Sequence, residues 1–241
     1  MTEVSGENGQ PAAGTEGVLD LFGLLAYAEL VAFFRLSEDA ALAPSLADKA
    51  ALGQMAVAEF GHFVLLREQI TRLNADPDQA MLPFVAPVDA FHARTAPTDW
   101  LEGLVKAYVG DGIAADFYRA IGELLDPQYR DLVWQVLADT GHTDFVVSRV
   151  RAAIAGEPTV AGRLALWARR LVGEALAQAH RVAAERAPLA GLLVSGAARE
   201  AASGGQGDIG RMFARLTDAH DERMAALGLA DWEHTPAEDA S

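Results

Sequence analysis

The sequence predicts an all-α fold: a four-helix bundle with a long central crossover and additional C-terminal helices. Three observations predict it. Ala58-Glu59-Phe60-Gly61-His62-Phe63 and, eighty residues later, Asp139-Thr140-Gly141-His142 repeat one pattern of acid, any residue, glycine, histidine. Upstream of each, an acid interrupts an apolar helical segment: Glu29 lies 30 residues before Glu59, and Asp111 lies 28 before Asp139. Between these two related halves falls the longest proline-broken stretch of the chain, Asn74 to Pro97.

The spacing carries chemistry. A carboxylate and an imidazole three residues apart share one face of a helix, close enough to reach one metal ion. Two hairpins that each donate two carboxylates and one histidine make Glu29, Glu59, His62, Asp111, Asp139 and His142 the candidate ligands. With no cysteine in the chain, a metal has only oxygen and imidazole donors, and disulfides, thiolate sites and cysteine nucleophiles are excluded.

In chain order, residues 1–16 are rich in Gly, Glu, Ser and Pro without a basic start or apolar core, and read as a disordered leader, not a signal peptide. Gly17 to Leu36 is apolar around most of its circumference, with Asp20 and Glu29 its acids. It suits the centre of a bundle better than a membrane span. Residues 37–44 connect to a second helix, opened by Ser45 with Asp48 in a capping-box arrangement and running to about Leu73. Asn74 to Pro97 reads as an irregular crossover, with Phe84, Phe91 and His92 packing on the bundle or folding over one end. A third helix, from Thr98 or Asp99 to about Leu125, carries Asp111 between Gly110 and Gly112. Each glycine costs roughly 1 kcal/mol against alanine, and close backbone approach is the simplest reason for them. Asp116 points away from Asp111 and is not a ligand. Asp126-Pro127 opens a fourth helix continuing to about Ala155, and Thr159 to Arg186 forms a fifth that packs outside the four-helix core. Glu174 and His180, six residues apart, fall on poorly matched faces, and His220 and His234 have no acid at ligand spacing, so none of the four is assigned chemistry. Residues 17–187 therefore form the bundle, 188–228 C-terminal helices packed on it, and 229–241 a disordered acidic tail.

The order acid, Glu-x-x-His, acid, acid-x-x-His on such a bundle resembles the ferritin-like di-iron carboxylate superfamily. Within it, the chain resembles the tRNA 2-methylthio-isopentenyladenosine hydroxylase family and its uncharacterised actinobacterial-type relatives, over roughly residues 17 to 187. The resemblance implies two iron ions, or manganese in their place, held by the six candidate residues, and dioxygen activation with an external electron donor. Asp111 and Asp139 depart from the family pattern, where glutamates are usual, by one methylene of reach each. Glu-to-Asp keeps the charge and the hard donors that these metals prefer.

Net charge of −15 argues against generic nucleic-acid binding, although seven arginines against three acids between Phe145 and Arg186 admit a local basic face for tRNA. Three functions are compatible with these features: an oxygen-activating oxidase or hydroxylase, a ferritin-like scaffold with a lost or altered metal site, or a ferroxidase or iron store. The expected compartment is the cytoplasm, with no membrane association; a homodimer is compatible with the sequence, and the substrate is open.

Overall fold

The computed structural model describes residues 13–138, 142–192 and 209–230, and every regular element among them is helical. The elements are α1 (Ala13–Asp39), a 3₁₀ turn (Ala40–Leu42), α2 (Leu46–Arg72), α3 (Pro77–Arg94), α4 (Trp100–Val105), a π-helical turn (Lys106–Gly110), α5 (Asp111–Gly122), α6 (Pro127–Val136), α7 (His142–Gly156), α8 (Thr159–Glu185) and α9 (Ile209–Leu227), with residues 187–192 also helical. The expected leader up to residue 12, the latter part of the short C-terminal helix and the acidic tail from residue 231 lie outside the described residues. Helix α1 begins at Ala13, ahead of the expected Gly17. Its segment Thr15–Leu42 is long and apolar enough to cross a membrane, and 61% of that window is buried inside the bundle.

The capping signals at Ser45 and Asp99 act as expected, whereas Asp126 precedes Pro127 at the start of α6 without a side-chain cap hydrogen bond. Ser45 Oγ accepts from the Asp48 N–H at 3.1 Å and donates to the Asp48 carboxylate at 2.7 Å, while Arg149 of α7 donates to the same carboxylate at 2.6 Å. Asp99 caps α4 through the Glu102 N–H, and buried Glu102 accepts from Thr98 and from Arg163 of α8.

Three expectations require correction. The crossover is a helix: Asp76 caps α3 with Pro77 at its first position, and the interior Pro83 and Pro87 are tolerated. Interior proline costs about 3 kcal/mol, and burial of Met81, Phe84 and Pro87 along one face offsets it. Phe84 is wholly buried and Phe91 packs on the core, so the crossover seals the side of the bundle. Helix α8 also belongs to the core. Its Leu164, Ala165, Ala168 and Leu171 are buried without residual exposure, and the Trp167 indole donates to the Glu102 carbonyl at 2.9 Å. The fourth helix is not continuous, because α6 ends at Val136 and the Leu137 carbonyl, left without a helical partner, accepts from Arg119 of α5 at 2.6 Å.

Two apolar clusters fill the bundle, and helices α1, α2 and α8 pass from one to the other. Helix α1 contributes Leu21, Phe22 and Leu25 to one and Leu36 to the other; α2 contributes Phe63 and Leu66 to the first and Leu52 and Met55 to the second. The same division separates Ile121 from Val109 and Ile113, and Val136 from Val146. The polar residues of interest fall at this waist.

Candidate metal centre

Glu29 of α1 and Glu59 and His62 of α2 converge at the waist. One ligand atom from each lies within 4.8 Å of the other two, with His62 Nδ1 at 3.5 Å from Glu29 Oε2 and 3.4 Å from Glu59 Oε2. The i, i+3 relation within unbroken α2 sets Glu59 beside His62, and the antiparallel α1–α2 pairing brings Glu29 level with both. Gly61 has open space where a Cβ would stand, so the repeated glycine of the motif has no packing role here.

Glu29 is 9% exposed. Burial, and next the adjoining Glu59 carboxyl, push its proton affinity well above the usual carboxylate range. His62 is raised to about 9, first by its contact with Glu29 and then by Glu59. Two acids and an imidazole held together in a desolvated pocket lack sufficient positive charge of their own, the condition that a divalent cation relieves.

Asp111 lines the same cavity, of about 370 Å³, with Glu29, Glu59, His62 and Tyr118. It is exposed by surface area yet ringed by protein, because it faces both this cavity and a second one behind it. Desolvation and then the Glu59 charge raise Asp111 to about 8. The π-helical turn ends immediately before it, and the extra residue of such a turn rotates Asp111 and the rest of α5 relative to a regular helix. Lys106 begins that turn as a buried cation whose Nζ donates to the Thr95 carbonyl at 2.7 Å. Burial lowers it to about 8.

The glycines beside Asp111 do not draw helices together. A Cβ at Gly110 would make only ordinary contacts, whereas one at Gly112 would lie 2.8 Å from Arg223 Cδ. Gly112 makes room for this arginine of α9, which donates to Asp116 at 2.6 Å; Arg119 binds the same carboxylate at 3.0 Å. Both arginines line the cavity, so Asp116, no ligand itself, holds two cations at its edge. Sequence reasoning does not find Arg223, which a 107-residue separation from Asp116 hides from any local motif.

Asp139 lies outside the described residues, as does the side chain of His142, whose backbone opens α7. Glu174 pairs with Arg94 at 3.4 Å, and Glu29, Glu59 and His62 are the sole candidate metal group among the described residues.

The arginines expected to offer a basic face are largely tied internally. Arg149 binds Asp48, Arg151 the carbonyls of Ala225 and Ala226, Arg163 Glu102, Arg170 the Arg94 carbonyl, and Arg186 both oxygens of Asp20.

Stability should depend on pH through Asp111. With its folded-state pKa raised from the ordinary 3.8 to about 8, Asp111 contributes stability that is present below about pH 4 and lost as pH rises through about 8. Melting temperatures of the metal-free chain should therefore fall more between pH 6 and 9 than those of Asp111→Asn. Parallel curves for the two proteins would show that Asp111 does not titrate in this range.

A family model described as a ferritin-like domain of actinomycetes matches residues 13–196. No curated protein matches the chain.

Proposed function

The chain belongs to the ferritin-like domain family of actinomycetes, and from that premise we propose that it is an oxygen-activating di-iron oxidase or hydroxylase. The observation that carries this reading is the convergence of Glu29, Glu59 and His62 at the waist of the bundle, with Asp111 on the wall of the same cavity. Hard carboxylate oxygens with imidazole suit iron or manganese. Glu29, Glu59 and His62 would hold one ion, and Asp111 with Asp139 and His142 would complete a second site.

Iron bound there would supply the redox chemistry with dioxygen, with electrons from an external donor. The chain's own groups do the rest. Glu29, buried between two apolar clusters, brings negative charge where water screens it little, and would give up its proton to a cation held there. Asp111 faces the ligand triad on one side and an apolar chamber on the other. Tyr118 lines both spaces; burial and then the Glu29 charge raise its phenol, which stays protonated at neutral pH. Such a chamber favours substrate oxidation over storage, because a store needs no apolar cavity beside its metal.

Anaerobic Fe(II) titration with metal analysis, followed by oxygen exposure and a near-UV spectrum, tests the proposal. About two irons per chain and an oxo-bridge band are expected. A folded protein that takes up less than a few tenths of an equivalent would instead be a scaffold, and a native mass corresponding to a closed cage would identify a store.

A further inference from the structure

Helices α3 and α8 close a second cavity of about 260 Å³ against α1 and α5. Leu24, Val88, Phe91, Phe117 and Val182 supply much of its wall. It shares Ala28, Ala32, Asp111, Ala114 and Tyr118 with the carboxylate cavity, so the two spaces are separated by a single layer of side chains.

Two side chains in this apolar wall carry polar atoms without a hydrogen-bond partner. Gln178 is 6% exposed, and both its Oε1 and its Nε2 are sealed from water and unsatisfied; His92 leaves a buried Nδ1 unsatisfied. Gln178 occupies a core position of α8, seven residues after Leu171 and four before Val182, where leucine would fit the pattern. A buried amide left without donors and acceptors is costly, and the fold gains nothing from it. Burial, and then the charges of Lys106 and Arg35, lower His92 to about 3, so its ring is neutral. Among the described residues, no lysine or arginine lines the cavity to receive an anion. Leu176, 36% exposed, and exposed His180 mark the side of α8 where the cavity meets the surface.

We propose that this cavity binds a small uncharged molecule whose apolar body lies toward Asp111 and Tyr118 and whose single head group, a carboxamide or its hydrogen-bonding equivalent, pairs with the Gln178 amide. A primary amide offers one donor and one acceptor side by side, and the matching head offers the complement. His92 Nδ1 takes or gives one further hydrogen bond according to its tautomer. The proposal deepens the oxidase reading by naming its substrate class, and it rests on that reading only in where the apolar body points. Binding itself needs no metal, so the two stand or fall separately.

The test uses the full-length, metal-free chain titrated by calorimetry with benzamide, benzoate and ethylbenzene. Benzamide should bind at least about tenfold tighter than benzoate, the loss expected when an anion enters an apolar cavity without a counter-charge. Gln178→Leu should weaken benzamide by about tenfold, the value of two hydrogen bonds of ordinary net strength, while ethylbenzene binds as well or better. The unliganded variant should also melt ~2–4 °C higher, because an unsatisfied amide has left the core. Gln178→Met serves the same comparison should the leucine variant not fold. No benzamide binding to the wild-type chain, an unchanged affinity in the variant, or an equal loss of benzamide and ethylbenzene would each overturn the proposal.

Discussion

Anaerobic Fe(II), or Mn(II), at about a thousand times its Kd should stabilise the metal-free chain by about 4 kcal/mol, which corresponds to a rise in Tm of ~8–16 °C for a domain of this size. The rise should shrink by at least about two thirds in Glu29→Ala, Glu59→Ala and His62→Ala. Groups that merely orient metal ligands are worth about 10–100-fold in affinity, so loss of a ligand should exceed about 100-fold. The metal-free variants separate this from general damage. Glu29 is buried at a cost, with its carboxyl against Glu59, so Glu29→Ala without metal should melt no lower than expected for a small cavity. A variant set that keeps the full metal-induced rise would remove the site from α1 and α2.

The second large effect concerns the frame that holds the site. Gly23 of α1 faces the crossover helix α3, and a Cβ added there would lie 2.1 Å from the Ala80 carbonyl oxygen. That atom is backbone, so relief requires a shift of α3 itself, and α3 carries wholly buried Phe84 and the cavity residues Phe91 and His92. Overpacking of a well-filled core costs about 1–3 kcal/mol, and a clash with backbone belongs at the upper end. Gly23→Ala should lower Tm by ~6–12 °C. It should also weaken benzamide binding, while iron affinity at Glu29, Glu59 and His62 changes little. Unchanged stability would mean that α1 and α3 have room to separate at no cost. Gly53→Ala, at a position with open space around it, is the matched control and should be neutral or slightly stabilising, as expected for alanine in place of glycine within a helix.

The sequence by itself determined the helical class and the near half of the site. Apolar segments interrupted by single acids, caps at Ser45 and Asp99, and Glu-x-x-His within one helix are local patterns, and local geometry suffices to put Glu59 beside His62. Glu29 is legible because its segment is otherwise apolar, which leaves a carboxylate there in need of a partner. The crossover helix is hidden by Pro83 and Pro87: their cost is local, but the burial of Phe84 and Met81 that outweighs it comes from α1 and the rest of the core. The reverse holds after Val136, where symmetry with the first hairpin suggests a continuous helix, yet α6 ends there and Leu137 gives its carbonyl to Arg119, a contact with α5 that no local pattern encodes. The glycines around Asp111 show the same limit, since Gly112 answers to Arg223, more than a hundred residues away.

Only the tertiary structure decided what stands behind the carboxylates. A cavity is the space left by several elements together, and no periodicity within α1, α3, α5 or α8 encodes it. Gln178 reads in sequence as one polar residue on an amphipathic helix; it becomes a candidate binding group only when α3 covers it and its amide is left with nothing to bond. Contacts three or four residues apart are dictated by the helical repeat, whereas the environment of Asp111 and Gln178 depends on which helices pack against them, a choice made by the whole core.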